Sequence, residues 1–277
     1  MVISGYVPFF NNASTVEQSI KSLLDQEPKI EEVVAVDDGS SDNGAMRLNR
    51  RGVRVVRLSE NQGRGAARAR GIAETRGEFV ISVDATKMLR RNFLQVALQH
   101  MQDEKVAAVC GRNWQPESEN SVTRWRGRHL FKMNTPFRLN PNAALNTNGV
   151  LLRRSAIAAV GGFDVSRRHS EDLDLGRRLQ QAGWTIVFDP TLLVDELVSN
   201  SWAEVFERVW RYNVGMNDRF SFHSWWKFVR LAWGVMLRRD FLARDFVGAL
   251  ASLSFPFVLL VAWSGWGVSP RDDKHSS

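Results

Sequence analysis

From Val2 to Cys110 the chain alternates short apolar runs with amphipathic stretches, and two of the runs stop on a carboxylate. The runs are VISGYV (Val2–Val7), EVVAV (Glu32–Val36), VRVVRL (Val53–Leu58), FVISV (Phe79–Val83) and VAAVC (Val106–Cys110). Each reads as a strand. Between them lie STVEQSIKSLLDQ, whose Val16, Ile20, Leu23 and Leu24 share one helical face, then GAARARGIAETR, and a helix expected from about Asn92. Ser14 and Glu17 have the spacing of a capping box at the start of the first helix. Pro8 has no N–H for a ladder and is expected to close the first strand. Strands alternating with helices fold into a mostly parallel α/β sheet flanked by helices.

Such sheets bind ligands in the crevice beyond the carboxyl ends of their strands. Asp37, Asp38 and Asp84 all fall at such ends. The first strand is followed by VPFFNN rather than G-x-G-x-x-G, and no G-x-x-x-x-G-K-[ST] occurs, so dinucleotide-binding and P-loop folds are excluded. The GRG at Gly63–Gly65 is too short to signal a phosphate loop. An acid at a strand end can accept hydrogen bonds from ribose hydroxyls or a base N–H, or hold a divalent cation against a diphosphate. A purely local alternative for DDGSSD is an Asx-type turn at Asp38 and Asp42.

Taken in order, VPFFNNASTVEQSIKSLLDQ, VDDGSSD, NQGRGAARARGIAETRGEFVISVDA and GGFD…EDLDLGRRLQQAGW resemble the successive signatures of family 2 glycosyltransferases, inverting enzymes of the GT-A fold. The resemblance runs from about Val2 to Tyr212. It implies that Pro8, Phe10, Asn11 and Asp38 bind the nucleotide. It also implies that Asn61, Gly63 and Arg68 lie in the loop and helix beside base and diphosphate, and that Asp84 is the first acid of an Asp-x-Asp motif. Glu171 and Asp172 match the family's Glu-Asp pair, in which the Asp is the general base. A sugar hydroxyl is a poor nucleophile and needs such a carboxylate within hydrogen-bond reach. The local alternative is plain N-capping, since acids are common in a helix's first turn. GGFD is expected to form a tight turn with glycines at positive φ, and Gly183 to cap the end of the following helix.

One position departs from the family pattern. The second acid of Asp-x-Asp, the direct metal ligand, is replaced by Thr86, and the place of a later metal-binding His is taken by Asp195. Three arrangements are open. Asp84 and Asp195 together hold Mg2+ or Mn2+; cationic side chains such as Lys87, Arg64 or Arg68 replace the metal; or the protein binds a nucleotide without transferring sugar, as a sensor or scaffold. A nucleotidyltransferase is the other enzyme class to weigh, but PFFNNAS lacks the Gly-rich, Lys-containing loop such enzymes carry.

The formal charge of +7 raises nucleic acid as a partner. RWRGRHLFK (Arg124–Lys132) interleaves arginines with aromatics, yet reads best as a solvated helix face with an aromatic turned inward. No nucleic-acid module is visible. His129 and His169 have no metal-ligand spacing around them and are expected to be ordinary surface or loop residues. One cysteine, Cys110, excludes an intrachain disulfide and suits a reducing compartment. No basic n-region precedes the first apolar run, so no cleaved signal peptide is expected.

Residues 1–200 are therefore read as the transferase domain, and 201–277 as a tail of different character. Seven of the ten tryptophans lie beyond residue 200. SWWKFVRLAWGVMLRR mixes aromatic and basic residues at helical spacing, as membrane-surface helices do. Residues 246–268 then run without a charge for 23 positions, long enough to span a bilayer. An in-plane anchor or a core hairpin is the rival reading. The excess of Arg238, Arg239 and Arg244 before this run over Arg271 and Lys274 after it places the catalytic domain on the cytoplasmic face of the membrane. The sequence thus predicts transfer of a sugar from a UDP-sugar or similar donor to a polysaccharide or lipid-linked acceptor.

Overall fold

The computed structural model describes residues 1–50, 53–115, 120–133, 136–168, 170–207 and 221–263. The chain divides into two units, Met1–Trp114 with Pro136–Val198, and Gln115–Thr135 with Ser199–Ser277. Residues 115–135, which the sequence reading placed in the first domain, belong with the C-terminal unit.

The first unit is built on β1 (Ile3–Phe9), β2 (Glu32–Asp37), β3 (Arg54–Arg57), β4 (Phe79–Val83), β5 (Lys87–Leu89), β6 (Val106–Trp114), β7 (Gly149–Arg153) and β8 (Thr185–Glu196). They form one sheet in the order β3-β2-β1-β4-β7-β6-β8-β5. The half predicted with most pattern, β3-β2-β1-β4, is parallel throughout. β7 runs antiparallel to both β4 and β6, and β5 antiparallel to β8, so the sheet is mixed rather than mostly parallel. The reason is where the chain re-enters. The Asp84 N–H donates to the Asn148 carbonyl at the carboxyl end of β4, so β7 starts there and must run back.

β1 does not stop before Pro8: it continues to Phe9, with Pro8 opposite Val36. In a parallel ladder a residue's N–H and C=O point to the same neighbour. The Phe9 carbonyl accepts from Asp38 N on the β2 side, so Pro8 faces β4, whose pairing with β1 ends at Tyr6–Ser82. No donor is asked of Pro8 there.

Around the sheet lie α1 (Val16–Leu24), α2 (Gly44–Arg50), α3 (Arg64–Glu74), α4 (Phe93–His100), α6 (Arg154–Ala159) and α7 (Glu171–Gln181), while α5 (Ser121–His129) belongs to the second unit. Val109 and Leu151 pack with Ile20, Leu23 and Phe93 on one face. Their strand neighbours Cys110 and Val150 pack with Ile157, Leu175 and Leu179 on the other, as the two-residue period requires. No side chain caps α1, so the capping box does not form; the Asn12 carbonyl takes the N–H groups of Thr15 and Val16 instead. α7 ends as Gly183 predicts, with φ +85° and Trp184 N donating to the Leu179 carbonyl.

The second unit contains α5, α8 (Phe222–Leu231), a π-helical turn (Ala232–Met236), α9 (Leu237–Leu242) and α10 (Phe246–Trp263). Its core gathers Trp125, Val205, Ala232, Met236, Phe255 and Leu259. Trp125 does turn inward, but the arginines beside it are only in part a solvated face: Arg124 is exposed, while Arg126 and Arg128 are buried. Arg128 pairs with Asp240 and, at 3.1 Å, with Asp245. His129 is no surface residue either, since its buried ring nitrogen lies 2.7 Å from Asp240. His169 lies outside the described residues. Ser252 donates to Asp240 and accepts from Trp125 Nε1 at 2.8 Å, so one buried carboxylate organises four side chains.

α10 covers the first 18 residues of the long uncharged run; residues 264–268 lie outside the described residues. Among the described residues no helix is long and apolar enough to cross a membrane. One face of α10, with Ala249, Ser252, Phe255 and Leu259, is buried, while Phe246, Leu250, Leu253 and Phe257 are exposed.

Candidate active site

The carboxyl ends of β1, β2 and β4 meet where β1 is flanked on opposite sides by β2 and β4, the switch point at which such sheets open a crevice. α3 delivers Arg68 to it. The side chain is 2 % exposed; its Nη2 lies 2.6 Å from Asp84 Oδ1 and its Nε 2.9 Å from Glu171 Oε1. One guanidinium thereby ties the end of β4 to the first turn of α7. Burial alone would lower the Arg68 pKa, but Asp84 and Glu171 hold it well above the usual value. The Tyr6 hydroxyl lies beside Arg68 and Ser82, and burial pushes its pKa up.

The acids respond differently to this cation. Burial raises Asp84, but Arg68, then Arg64 and Lys87, outweigh it and keep its pKa low. Asp172 is pushed up, first by burial and then by repulsion from Glu171. Of the acids here it is the one poised to take a proton. Ser170, just before the pair, has φ +58°, a strained conformation for a non-glycine residue, and it sets the angle at which α7 begins. Nothing in the sequence signals that strain. Gly161 and Gly162 have the positive φ expected of the GGFD turn.

GRG proves to be a docking device. A side chain at Gly65 would meet the Asp164 and Arg167 carbonyl oxygens at 2.3 and 2.5 Å, and Gly65 N donates to the Arg167 oxygen. The glycines let the loop before α7 lie directly on the start of α3, which fixes Arg68 relative to Glu171.

The residues assigned to the nucleotide divide into two groups. Asp38 accepts from the N–H groups of Gln62 and Gly63 at 2.8 and 2.9 Å, and burial raises its pKa. It holds the loop ahead of α3. The Asx-type bonds in DDGSSD belong to Asp37, which accepts from Ser40 N, and Asp42, which accepts from Gly44 N. Asn11, at φ +52°, accepts from Ser41 N and donates to Ser40, binding the loops after β1 and β2 together. The Asn61 side chain accepts from Arg168, a neighbour the sequence reading missed. Pro8 and Phe10 remain partly exposed at the end of β1.

The proposed second metal ligand is displaced. Asp195 lies opposite Met88 and pairs with Arg90 at 3.1 Å. The register sets Lys87 opposite Glu196, on the other face, where the two form a buried pair at 2.8 Å. Asp195 is therefore turned away from the side that Lys87 presents to Asp84. With Thr86 neutral, and with Arg68, Arg64 and Lys87 around Asp84, the donor set does not fit a divalent cation. Among the described residues no three His, Cys, Asp or Glu side chains form a group suited to a metal ion.

Cys110 is buried, accepts from Asn146 N, and burial pushes its thiol up to about 12, so it stays protonated. A cavity of about 480 Å3 lined by Ala45, Met46, Asn49, Val55 and Arg57 contains none of the acids.

Comparison with known proteins places this geometry among relatives. A family model described as glycosyl transferase family 2 matches residues 4–161. The pre-mycofactocin glycosyltransferase of Mycobacterium tuberculosis is 31 % identical over 199 residues, covering 68 % of this chain and 41 % of that protein. The poly-beta-1,6-N-acetyl-D-glucosamine synthase of Staphylococcus aureus is 23 % identical over 209 residues, covering 70 % and 50 %. The chain thus spans half or less of the length of these relatives. Among solved structures, the mannosyltransferase PcManGT from Pyrobaculum calidifontis, in complex with GDP-Man and Mn2+, superposes with a TM-score of 0.61 at 17 % identity, covering 97 % of this chain and 76 % of that one. GalNAc-T7 with UDP, GalNAc and Mn2+ gives 0.58 at 16 %, covering 71 % and 44 %. At such identities the likeness is one of fold, the GT-A-like α/β fold.

Proposed function

The chain belongs to glycosyl transferase family 2, and from that premise we propose that it transfers a sugar, with inversion, from a nucleoside-diphosphate sugar to an acceptor hydroxyl. UDP is the nucleotide we assign. The observation that carries the reading is the Arg68 bridge between Asp84 and Glu171 at the carboxyl end of the sheet, with Asp172, the next residue of α7, raised in pKa.

The chemistry follows from that placement. The acceptor hydroxyl gives its proton to Asp172 as its oxygen attacks the anomeric carbon. The bond from that carbon to the diphosphate breaks on the opposite side, and the electron pair leaves with the diphosphate. One base and one displacement invert the centre without a covalent intermediate. Glu171 does not reach the substrate in this scheme. It anchors Arg68 and raises the basicity of Asp172. Asp38 and Asn11 act on the nucleotide indirectly, by fixing the loops that enclose it.

The acceptor we assign is polysaccharide or lipid-linked and met at the cytoplasmic face of a membrane. Support comes from the second unit, where Phe246, Leu250, Leu242 and Trp226 are exposed on helices that also expose Arg238 and Arg239, with Arg244 exposed in the turn between α9 and α10. The naming of one relative as a polysaccharide synthase points the same way. A sensor or scaffold that binds the nucleotide without turnover is the second reading, favoured by Thr86.

Replacing Asp172 by Asn separates the two. Release of nucleoside diphosphate from UDP-glucose, UDP-N-acetylglucosamine and GDP-mannose is followed in the presence of a glycolipid extract. Turnover by the parent chain that drops at least about 100-fold in Asp172→Asn, with UDP affinity kept, supports the enzyme. Tight UDP binding by a parent chain that turns over none of the donors supports the sensor.

A further inference from the structure

We propose that the leaving diphosphate is neutralised by the protein's own cations, Arg64 in direct contact and Lys87 behind it, and that no divalent ion is used. This deepens the proposed transferase reading and rests on it.

A diphosphate departing from the anomeric carbon accumulates negative charge that must be met as the bond breaks. A divalent ion does this only where the protein offers it anionic oxygen ligands. Here the positions that could offer them are otherwise committed. Asp84 is hydrogen-bonded to Arg68 at 2.6 Å, Thr86 contributes a neutral hydroxyl, and the strand that faces them presents Glu196, already paired with Lys87 at 2.8 Å. Asp195 belongs to the opposite face and to Arg90. The charges that act most strongly on Asp84 are cations, Arg68 first and then Arg64 and Lys87.

The same arrangement suits an anion. Arg68 has its Nε and Nη2 taken by Glu171 and Asp84 and is almost wholly enclosed, with only the buried Nη1 left without a hydrogen-bond partner, so the exposed contact falls to its neighbour. Arg64 sits one helical turn earlier on α3, is exposed, and acts on Asp84 electrostatically. Residues four apart on a helix share a face, so Arg64 is the solvent-side continuation of the Arg68 position. Lys87, paired with Glu196 at 2.8 Å, acts on Asp84 electrostatically, so the pair presents a preorganised dipole with its positive end toward the site, which costs no reorganisation when the diphosphate leaves. In the balanced step, the electron pair of the broken bond to the anomeric carbon moves onto the diphosphate beside Arg64 and Lys87, and the acceptor proton moves to Asp172.

Calorimetry of the full chain with UDP, GDP and dTDP, first with Mn2+ and then with excess EDTA, tests this. The expected result is affinity for one of them that changes by less than about twofold on chelation. Arg64→Ala is then expected to weaken that diphosphate at least about tenfold while leaving the matching monophosphate within about twofold. Lys87→Met alone would strand a buried Glu196, so the charge-balanced pair Lys87→Met with Glu196→Gln serves as the second variant, with the same expected direction. Diphosphate binding that collapses on chelation overturns the inference and leaves the transferase reading standing. So does metal-indifferent binding that neither variant weakens. Failure of all three nucleotides to bind under either condition overturns the transferase reading and the inference with it.

Discussion

Arg68 shows how a single residue sets the chemistry of those around it. Breaking such a buried pair by removing one partner generally costs about 3–5 kcal/mol, so the guanidinium is as much a part of the fold as of the site. Its neighbours diverge because they differ in access to it. Asp84 receives a direct hydrogen bond and stays ionised, whereas Asp172 has burial and the Glu171 charge against it. A base with a raised pKa must lose its proton before it acts, so the acid limb of kcat/KM is expected above the ordinary aspartate value of about 3.9. Glu171→Gln removes a neighbouring negative charge, which makes Asp172 easier to ionise. The limb should then move toward lower pH while burial keeps it from reaching the ordinary value. A pH profile of both proteins decides it, and a limb that stays put or moves upward would show that Asp172 is not the titrating base. The sequence marked Glu171 and Asp172 by their place before an amphipathic helix. It could not show that Arg68, 103 residues away, would take one of them.

At the scale of elements, β1 to β4, β6 and the helices α1, α3, α4 and α7 were legible because each carries its own period, and the acids at strand ends followed from them, whereas β5, β7, β8, α2 and α6 were not read. What escaped were features set by partners distant in the chain. β7 runs antiparallel because of where the chain returns to β4, and Pro8 stays in β1 because β4 has already diverged. Asp195 and Glu196 alternate across β8, so one faces Arg90 and the other Lys87, and the sequence alone does not say which face looks toward the site. The start of α3 shows the same dependence most sharply. GRG carries no signal alone, yet Gly65 is where the 161–168 loop touches the helix. Gly65→Ala would drive a methyl group into two backbone carbonyls that belong to a tight turn and cannot rotate away. We expect a loss of about 1–3 kcal/mol from this overpacking, read from the urea midpoint. A larger proportional loss of turnover than of UDP affinity should accompany it, because α7 shifts against Arg68. Unchanged stability would mean the loop is not seated on α3.

For the whole molecule, the +7 charge and the tryptophan-rich C-terminal third were legible as quantities, but not how they are used. The arginines of RWRGRHLFK looked like a solvated face, yet only Arg124 is exposed; Arg126 and Arg128 are inside the second unit, where Arg128 meets Asp240 and Asp245. Charge that is paired internally does not attract a membrane, so the surface charge must come from elsewhere in that unit. Lys227, Arg230, Arg238 and Arg239 are exposed there, on helices that also expose Phe246, Leu250, Leu242 and Trp226, and Arg244 is exposed in the turn between α9 and α10. Half of α10 is already buried against its own unit, which favours an in-plane seat with only the outer face in lipid. An in-plane helix held by both terms binds vesicles in a way that depends on lipid charge and on salt, since each basic residue near an anionic surface contributes about 1 kcal/mol. The full chain is therefore expected to float with vesicles containing phosphatidylserine, less with neutral phosphatidylcholine, and less again as salt rises. Phe246→Glu with Leu250→Glu should abolish flotation without unfolding the protein, because both side chains are more than three-fifths exposed and leave no cavity. A chain that resists carbonate extraction and ignores both salt and lipid charge would instead be held by a spanning segment that includes residues beyond Trp263. A chain that never floats would leave the exposed face of α10 to a protein partner and remove the membrane from the acceptor we assign.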